Sequence, residues 1–366
     1  MKYLPPTLSF YLFRQFVLNF LILTGGLLSV VYIFDTIELL RRAAGHEGLG
    51  IAFVLKMGLL KLPDAGQQII PFAVLFSALF TFWQLTKRSE LVVVRAAGLS
   101  VWQFMMPLVF AAGLVGALQM AVLNPVGASL IGKFERLEAE SLSRDDSLIS
   151  LSGQGLWLRQ KERAGEIALI HAARLDQPEW LLRDVMVLYT DAQDRFVRRL
   201  DADTARLEPG RWRFFDVVLN SPGLAPRHLP QSTMETGLSI GQIENSFADP
   251  KTVPFWSLPS YIETMQATGF NAVPLMIEFQ ALIAKPIFLI GMVLIAACVA
   301  LRPQRQGGTT VLIIAGVVLG FTVFFLTNFL QALGASGQIP VFMAAWFPPA
   351  IYCLMGIGGL MILEDG

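Results

Sequence analysis

The sequence predicts an α-helical membrane protein with six transmembrane helices and an all-β domain inserted after the third. Three observations predict it. The 366-residue chain is 54% hydrophobic and only 15% charged, with a mean hydropathy of +0.57, which is too apolar for a soluble domain of this size. Charge is segregated, because residues 134–278 carry 36 of the 56 Asp, Glu, Lys and Arg residues. That stretch reads as short strands, whereas both flanks read as long apolar runs. The net charge is zero, so no global basic field points to nucleic acid.

A span needs about 20 apolar residues, since a helix rises about 1.5 Å per residue across about 30 Å of hydrocarbon. Residues 15–34 and 65–86 carry no charge and supply the first two spans. Residues 96–132 are also uncharged; the third span is placed at Val101–Leu123, ended by Asn124-Pro125. The fourth runs from Ala281 to Leu301. Residues 306–363 lack charge altogether and hold two more, divided by GASGQIP at 334–340. The first apolar stretch is too long for a signal peptide, and no small-residue cleavage site precedes Asp35, so it is expected to be a permanent helix. Six spans put both termini on one side. Lys2 and Arg14, Lys87, Arg88 and Arg95, and Arg302 and Arg305 fall there. The other side has Arg41, Arg42, Lys56 and Lys61, interspersed with Asp35, Glu38, Glu47 and Asp64. Three basic clusters against one place the termini in the cytoplasm and residues 134–278 outside it. The expected organisation is spans one to three over 1–133, with a short cytoplasmic helix near 89–98. The β domain and a linker helix follow over 134–270, then spans four to six over 271–366.

In the middle segment, LWLRQ (156–160), EIALIHA (166–172), DVMVLY (184–189) and RFFDVVL (213–219) are short, rich in branched and aromatic residues, and often alternating. EPGR at 208–211 is a hairpin-turn signal. The pattern suggests a sandwich or jelly-roll-like domain. Its 15 basic and 21 acidic residues make it mildly acidic, against nucleic-acid binding. A helix is expected over Pro259–Thr268, closed by Gly269, with Tyr261, Ile262 and Met265 in one stripe. The two cysteines, Cys298 and Cys353, lie inside apolar runs and read as small buried hydrophobes, so the middle domain has no disulfide framework.

Little in the chain suggests catalysis. Gly127 to Lys133 matches GxxxxGK, but Phe134 stands where a phosphate loop needs Ser or Thr, and no strand precedes it. Asp145-Asp146 reads as a solvated loop, and His46, His171 and His228 are isolated. No cofactor is expected in this chain. Lys285 is the one ionisable residue inside an expected span, and no inverted repeat of broken helices is evident, which argues against self-powered transport. Gly113, Gly116, Gly316 and Gly320 mark close helix contacts.

The most informative segment is KRSELVVVRAAGLS, residues 87–100. Ser89 suits an N-cap, Glu90 a helix start, Arg95 a helix end and Gly98 the position beyond it. Residues 90–97 therefore read as a two-turn cytoplasmic helix. It exposes Leu91 to Val94 and needs a partner surface. A loop lying against lipid headgroups is the other reading of the same residues.

With the preceding IIPFAVLFSAL (69–79), this segment resembles the lipopolysaccharide-export permease family of the LptF/LptG type. IFDTIELLRR (33–42), SLPSYIETMQATG (257–269) and LRPQRQGGT (301–309) add to the resemblance, and FDTIELLRR is closer to the G-type paralogue. The resemblance implies a non-catalytic permease subunit of an ATP-driven exporter. Such a subunit extracts lipopolysaccharide from a Gram-negative inner membrane and passes it to a periplasmic bridge protein with a β-jelly-roll. Implied partners are an LptF-type paralogous permease and a cytoplasmic ATPase dimer that holds ATP and Mg; the β domain would be periplasmic. Glu90, with Ser89, Leu91 and Arg95, would couple to the ATPase. Arg41, Arg42, Lys133 and Arg136 would meet the substrate at the outer mouth, and a further basic position of the family falls near Asp35. Two other classes stand beside this reading. One is a non-transporting scaffold whose outer domain binds a partner. The other is a membrane-embedded enzyme, which would need a convergent acid, base or metal set that the sequence does not display.

Overall fold

The computed structural model describes residues 5–43, 50–90, 96, 100–141, 148–152, 155–161, 166–176, 180–191, 195–236, 250–267, 271–301 and 308–365. The long helices are α1 (Pro6–Ala43), α2 (Ile51–Lys87), α3 (Val101–Leu118) and α4 (Asn124–Ser141), then α6 (Val273–Ala300), α7 (Gly308–Ala335) and α8 (Val341–Asp365). A five-residue π turn, Gln119–Leu123, joins α3 to α4 without a break. Counting that joined pair as one, six helices among the described residues are long and apolar enough to cross a membrane. The short helix α5 (Leu258–Ala267) follows the sheet and buries Leu258 and Met265.

The chain forms two units. One comprises residues 1–138, 254–256 and 273–366; the other comprises 139–253 and 257–272. In the first, α2 and α6 are the most buried helices and α1 and α7 the most exposed. Phe16 of α1, Ala78 and Phe82 of α2, Phe104 and Leu108 of α3, and Leu289 and Met292 of α6 share one core. Close approach is bought with small residues. A Cβ on Gly116 would stand 2.5 Å from Cα of Pro286, and one on Gly316 would stand 2.7 Å from a Leu79 methyl. These contacts join α3 to α6 and α7 to α2. Cys298 and Cys353 are half-buried rather than fully buried; their thiols approach the carbonyls of Gly356 and Ile287.

The third span does not stop at Asn124-Pro125, as the sequence suggested. Proline lacks an N–H, so the carbonyl four residues back, that of Ala121, loses its helical donor. The π turn absorbs the mismatch, with the Asn124 N–H bonding to the Gln119 carbonyl. The indole Nε1 of Trp256 donates to the Ala121 carbonyl at 3.3 Å. The helix therefore continues to Ser141.

Among its described residues the second unit holds seven strands: β1 (Leu148–Ser152), β2 (Gly155–Lys161), β3 (Ile167–Asp176), β4 (Leu181–Thr190), β5 (Phe196–Glu208), β6 (Arg211–Asn220) and β7 (Arg227–Glu235). They form one antiparallel sheet in the order β1 to β7. Every pairing joins sequence neighbours, so among the described residues this is a meander, without the crossover order of a jelly roll. Alternation sets the buried face. Leu158, Ile170, Val187, Leu200, Phe214 and Trp212 are all buried. The EPGR turn appears as expected, with Gly210 at φ +78° between β5 and β6.

Candidate functional site

Most candidate residues of the first unit lie along one helical hairpin, α1 against α2, and Lys133 and Arg136 lie on α4. The helices run antiparallel, so partner numbers on α2 fall as those on α1 rise. Tyr11 meets Glu90, Gln15 meets Gln84, and Asn19 meets Thr81. Further along, Leu28 lies against Gly66, and Tyr32 and Thr36 against Gly58. Lys61 then meets Asp35. The hairpin therefore joins two polar ends across an apolar, glycine-lined middle.

At the first end, α2 closes with the Arg88 N–H on the Gln84 carbonyl and the Ser89 N–H on the Thr86 carbonyl. Ser89 has φ 58°, the left-handed geometry that ends a helix. An N-cap has an extended backbone, so Ser89 serves here as the terminator of α2. Glu90 follows at once. Its carboxylate accepts the Tyr11 hydroxyl at 3.2 and 3.3 Å, and Arg88 stands 3.9 Å away. About a third of the Glu90 side chain is exposed. Leu91, Arg95 and most of the helix expected over 90–97 lie outside the described residues.

At the other end, Arg41 and Arg42 both bond to Glu38, at 2.9 and 3.0 Å. Arg42 reaches on to Glu138 of α4 at 3.3 Å, which brings the end of α1 to the helix that carries Lys133 and Arg136. These two are exposed and make no ion pair among the described residues. Arg41 is also largely exposed. Lys61 Nζ stands 3.1 Å from Asp35 Oδ1, so α2 supplies a cation at the position where α1 carries an acid. Sequence reasoning placed Lys61 only as a loop charge and left Tyr11 unremarked, because both depend on the register between α1 and α2. The arrangement gives a cationic rim fed by three helices, partly neutralised by Glu38, Glu138 and Asp35. Partly solvated cations of this kind suit a phosphorylated or carboxylated ligand.

Between α3 and α4, Asn124 is buried and bonds in two directions. Its Nδ2 donates to Gln67 Oε1 at 3.3 Å, and its Oδ1 accepts the Phe255 N–H at 2.9 Å. Gln119 Nε2 donates to the Gln67 carbonyl at 3.0 Å, and the Phe255 ring stacks on Phe279 at 5.4 Å. Residues 254–256 are thus fastened to the helical unit, although the residues on either side of them belong to the other. Among the described residues no three His, Cys, Asp or Glu side chains gather as metal ligands.

Residues 10–362 match the family described as "Lipopolysaccharide export system permease LptF/LptG". The chain is 24% identical over 352 residues to the Escherichia coli K12 protein named "Lipopolysaccharide export system permease protein LptG", with 92% of each chain covered. It is 22% identical over 309 residues to the Haemophilus influenzae protein of the same name, covering 81% of this chain and 82% of the relative.

Proposed function

The chain belongs to the LptF/LptG family of lipopolysaccharide export system permeases, and from that premise we propose that it is the G-type permease subunit of an ATP-driven lipopolysaccharide exporter. The observation that carries the proposal is the family match from residue 10 to 362, which runs from within the first of the apolar helices, through the inserted sheet, to within the last. The named relatives are both LptG proteins, which supports the G-type assignment. The chain itself is a passive path. ATP and Mg are held by a separate cytoplasmic ATPase dimer, and the second half of the path is an LptF-type paralogue.

In this reading the protein sits in the inner membrane of a Gram-negative cell, with both termini cytoplasmic and the β unit periplasmic. Glu90, with Ser89, Leu91 and Arg95, faces the ATPase. The partly exposed carboxylate of Glu90, just past the end of α2, supports that role, since a charged group there is available to a partner. Arg41, Arg42, Lys133 and Arg136 meet the phosphates of the lipid at the outer mouth, where exposed cations near headgroups favour anionic lipid. The lipid then passes by way of the β unit to a periplasmic bridge protein with a β-jelly-roll.

The test is a photo-crosslinking residue at position 90 in cells. The expected adduct is an ATPase subunit. Adducts confined to lipid, with no ATPase co-purifying, would leave the chain a membrane scaffold and contradict the proposal.

A further inference from the structure

At the end of the α1–α2 seam that holds Glu90, the polar contacts form a ladder. Tyr11, Gln15 and Asn19 stand four residues apart, on one face of α1. Their partners are Glu90, just past the end of α2, and Gln84 and Thr81, three residues apart on one face of α2. Asn19 and Thr81 are buried. Asn19 Nδ2 donates to Thr81 Oγ1 at 2.8 Å, and Thr81 Oγ1 donates in turn to the Ser77 carbonyl at 2.7 Å. Asn19 also reaches Gln84 Oε1 at 3.5 Å, so adjacent rungs share an acceptor.

Between lipid-embedded helices such bonds add little stability over good apolar packing, because the separated helices also find partners. What a polar ladder supplies is register. Sliding α1 along α2 by less than a turn breaks every rung at once and leaves the buried Asn19 amide unpaired. The first rung is different in kind, since the Tyr11 hydroxyl grips the carboxylate of Glu90 itself.

We propose that Tyr11, Gln15 and Asn19 are positioning residues of the exporter: they lock α1 to Glu90, so that a displacement of Glu90 carries α1 and its outer end with it. The outer end of α1 carries Asp35, on Lys61, and the Arg41–Arg42 pair. The inference rests on the proposed coupling role of Glu90 and extends it to a helix that sequence reasoning did not connect with it. Tyr11 holds the carboxylate in place while a partner occupies its exposed side. Gln15 and Asn19 keep α1 from slipping when force arrives.

The experiment uses the complete complex of this chain, its paralogue and the ATPase, in proteoliposomes containing lipopolysaccharide. Lipid released and ATP hydrolysed are both measured for Tyr11→Phe, Glu90→Gln and the double variant. Tyr11→Phe keeps the ring and removes only the donated hydrogen. The expected result is at least about a threefold fall in lipid released per ATP, as for loss of a half-exposed bond to a charged group. Complex yield and thermal unfolding stay unchanged, and the double variant is no worse than Glu90→Gln alone. Asn19→Leu, which fills the seam without a rung, is expected to lower the same ratio. Wild-type release per ATP in Tyr11→Phe, or losses that multiply in the double variant, would overturn the ladder while a defective Glu90→Gln leaves the coupling role standing. Wild-type behaviour of Glu90→Gln would overturn both.

Discussion

Trp256 Nε1 donates to the main-chain carbonyl of Ala121 at 3.3 Å, the carbonyl that Pro125 leaves without its helical donor. Residues 135 positions apart thus complete one helix. Replacing Trp256 with Phe keeps the edge contact with the Phe255 ring and removes the bond, at a cost of about 1 kcal/mol. Asn124→Ala strands the buried Phe255 N–H and the Gln67 amide together and costs about 2–4 kcal/mol. Thermal unfolding of the purified complex should rank wild type above Trp256→Phe and Trp256→Phe above Asn124→Ala. The reverse order would mean that the π turn is held by something else.

Gly116 packs backbone to backbone on Pro286. A methyl there meets Cα of proline, which has no flexible end to swing aside. Gly116→Ala is expected to destabilise the helical unit by about 1–3 kcal/mol. Gly132→Ala, where a Cβ meets nothing within 4 Å, should be neutral. Equal unfolding temperatures for the two variants would show that α3 and α6 do not pack as closely as described.

Trp212 is buried in the sheet core, yet among the described residues its indole N–H has no hydrogen-bond partner. Trp212→Ala should cost about 3–5 kcal/mol. Trp212→Phe removes the orphaned donor along with some volume, and is expected to cost less than about 1.5 kcal/mol. Proteolysis of the β unit in the intact protein reads both. A Phe variant as fragile as the Ala variant would show that the indole N–H has a partner.

At the rim, Arg42 is already engaged by Glu38 and Glu138, whereas Lys133 and Arg136 are exposed and make no ion pair among the described residues. A lipid phosphate would therefore displace an acid from Arg42 but not from the other two. Lys133→Gln and Arg136→Gln are each expected to weaken lipopolysaccharide binding about fivefold at low salt, more than Arg42→Gln does. Binding of labelled lipopolysaccharide to the complex at two salt concentrations checks it. An unchanged affinity in the Lys133→Gln, Arg136→Gln double variant would remove these residues from the substrate path.

The apolar runs were readable because the spacing of charge along the chain sets where a helix has to leave hydrocarbon. Strands β2, β3, β4 and β6 were readable from alternation, and the β5–β6 turn from a glycine that takes positive φ. The helix over Leu258–Ala267 was placed within one residue. The continuation of the third span past Asn124-Pro125 was hidden, because a distant tryptophan supplies the donor that proline lacks. Tyr11 and Lys61 were hidden for a related reason: nothing local to either residue sets the register of α1 on α2. Glu90 stood out in sequence as an acid in a short charged segment between apolar runs. Its contact with Tyr11 needed coordinates.

The most direct measurement is lipopolysaccharide release driven by ATP in proteoliposomes that hold the chain, its paralogue and the ATPase, with Glu90 intact or changed to Ala. The account predicts that the Glu90→Ala complex assembles and binds lipid but releases it at least about tenfold more slowly. Release at the wild-type rate, or ATP hydrolysis by the purified chain without the ATPase, would contradict it.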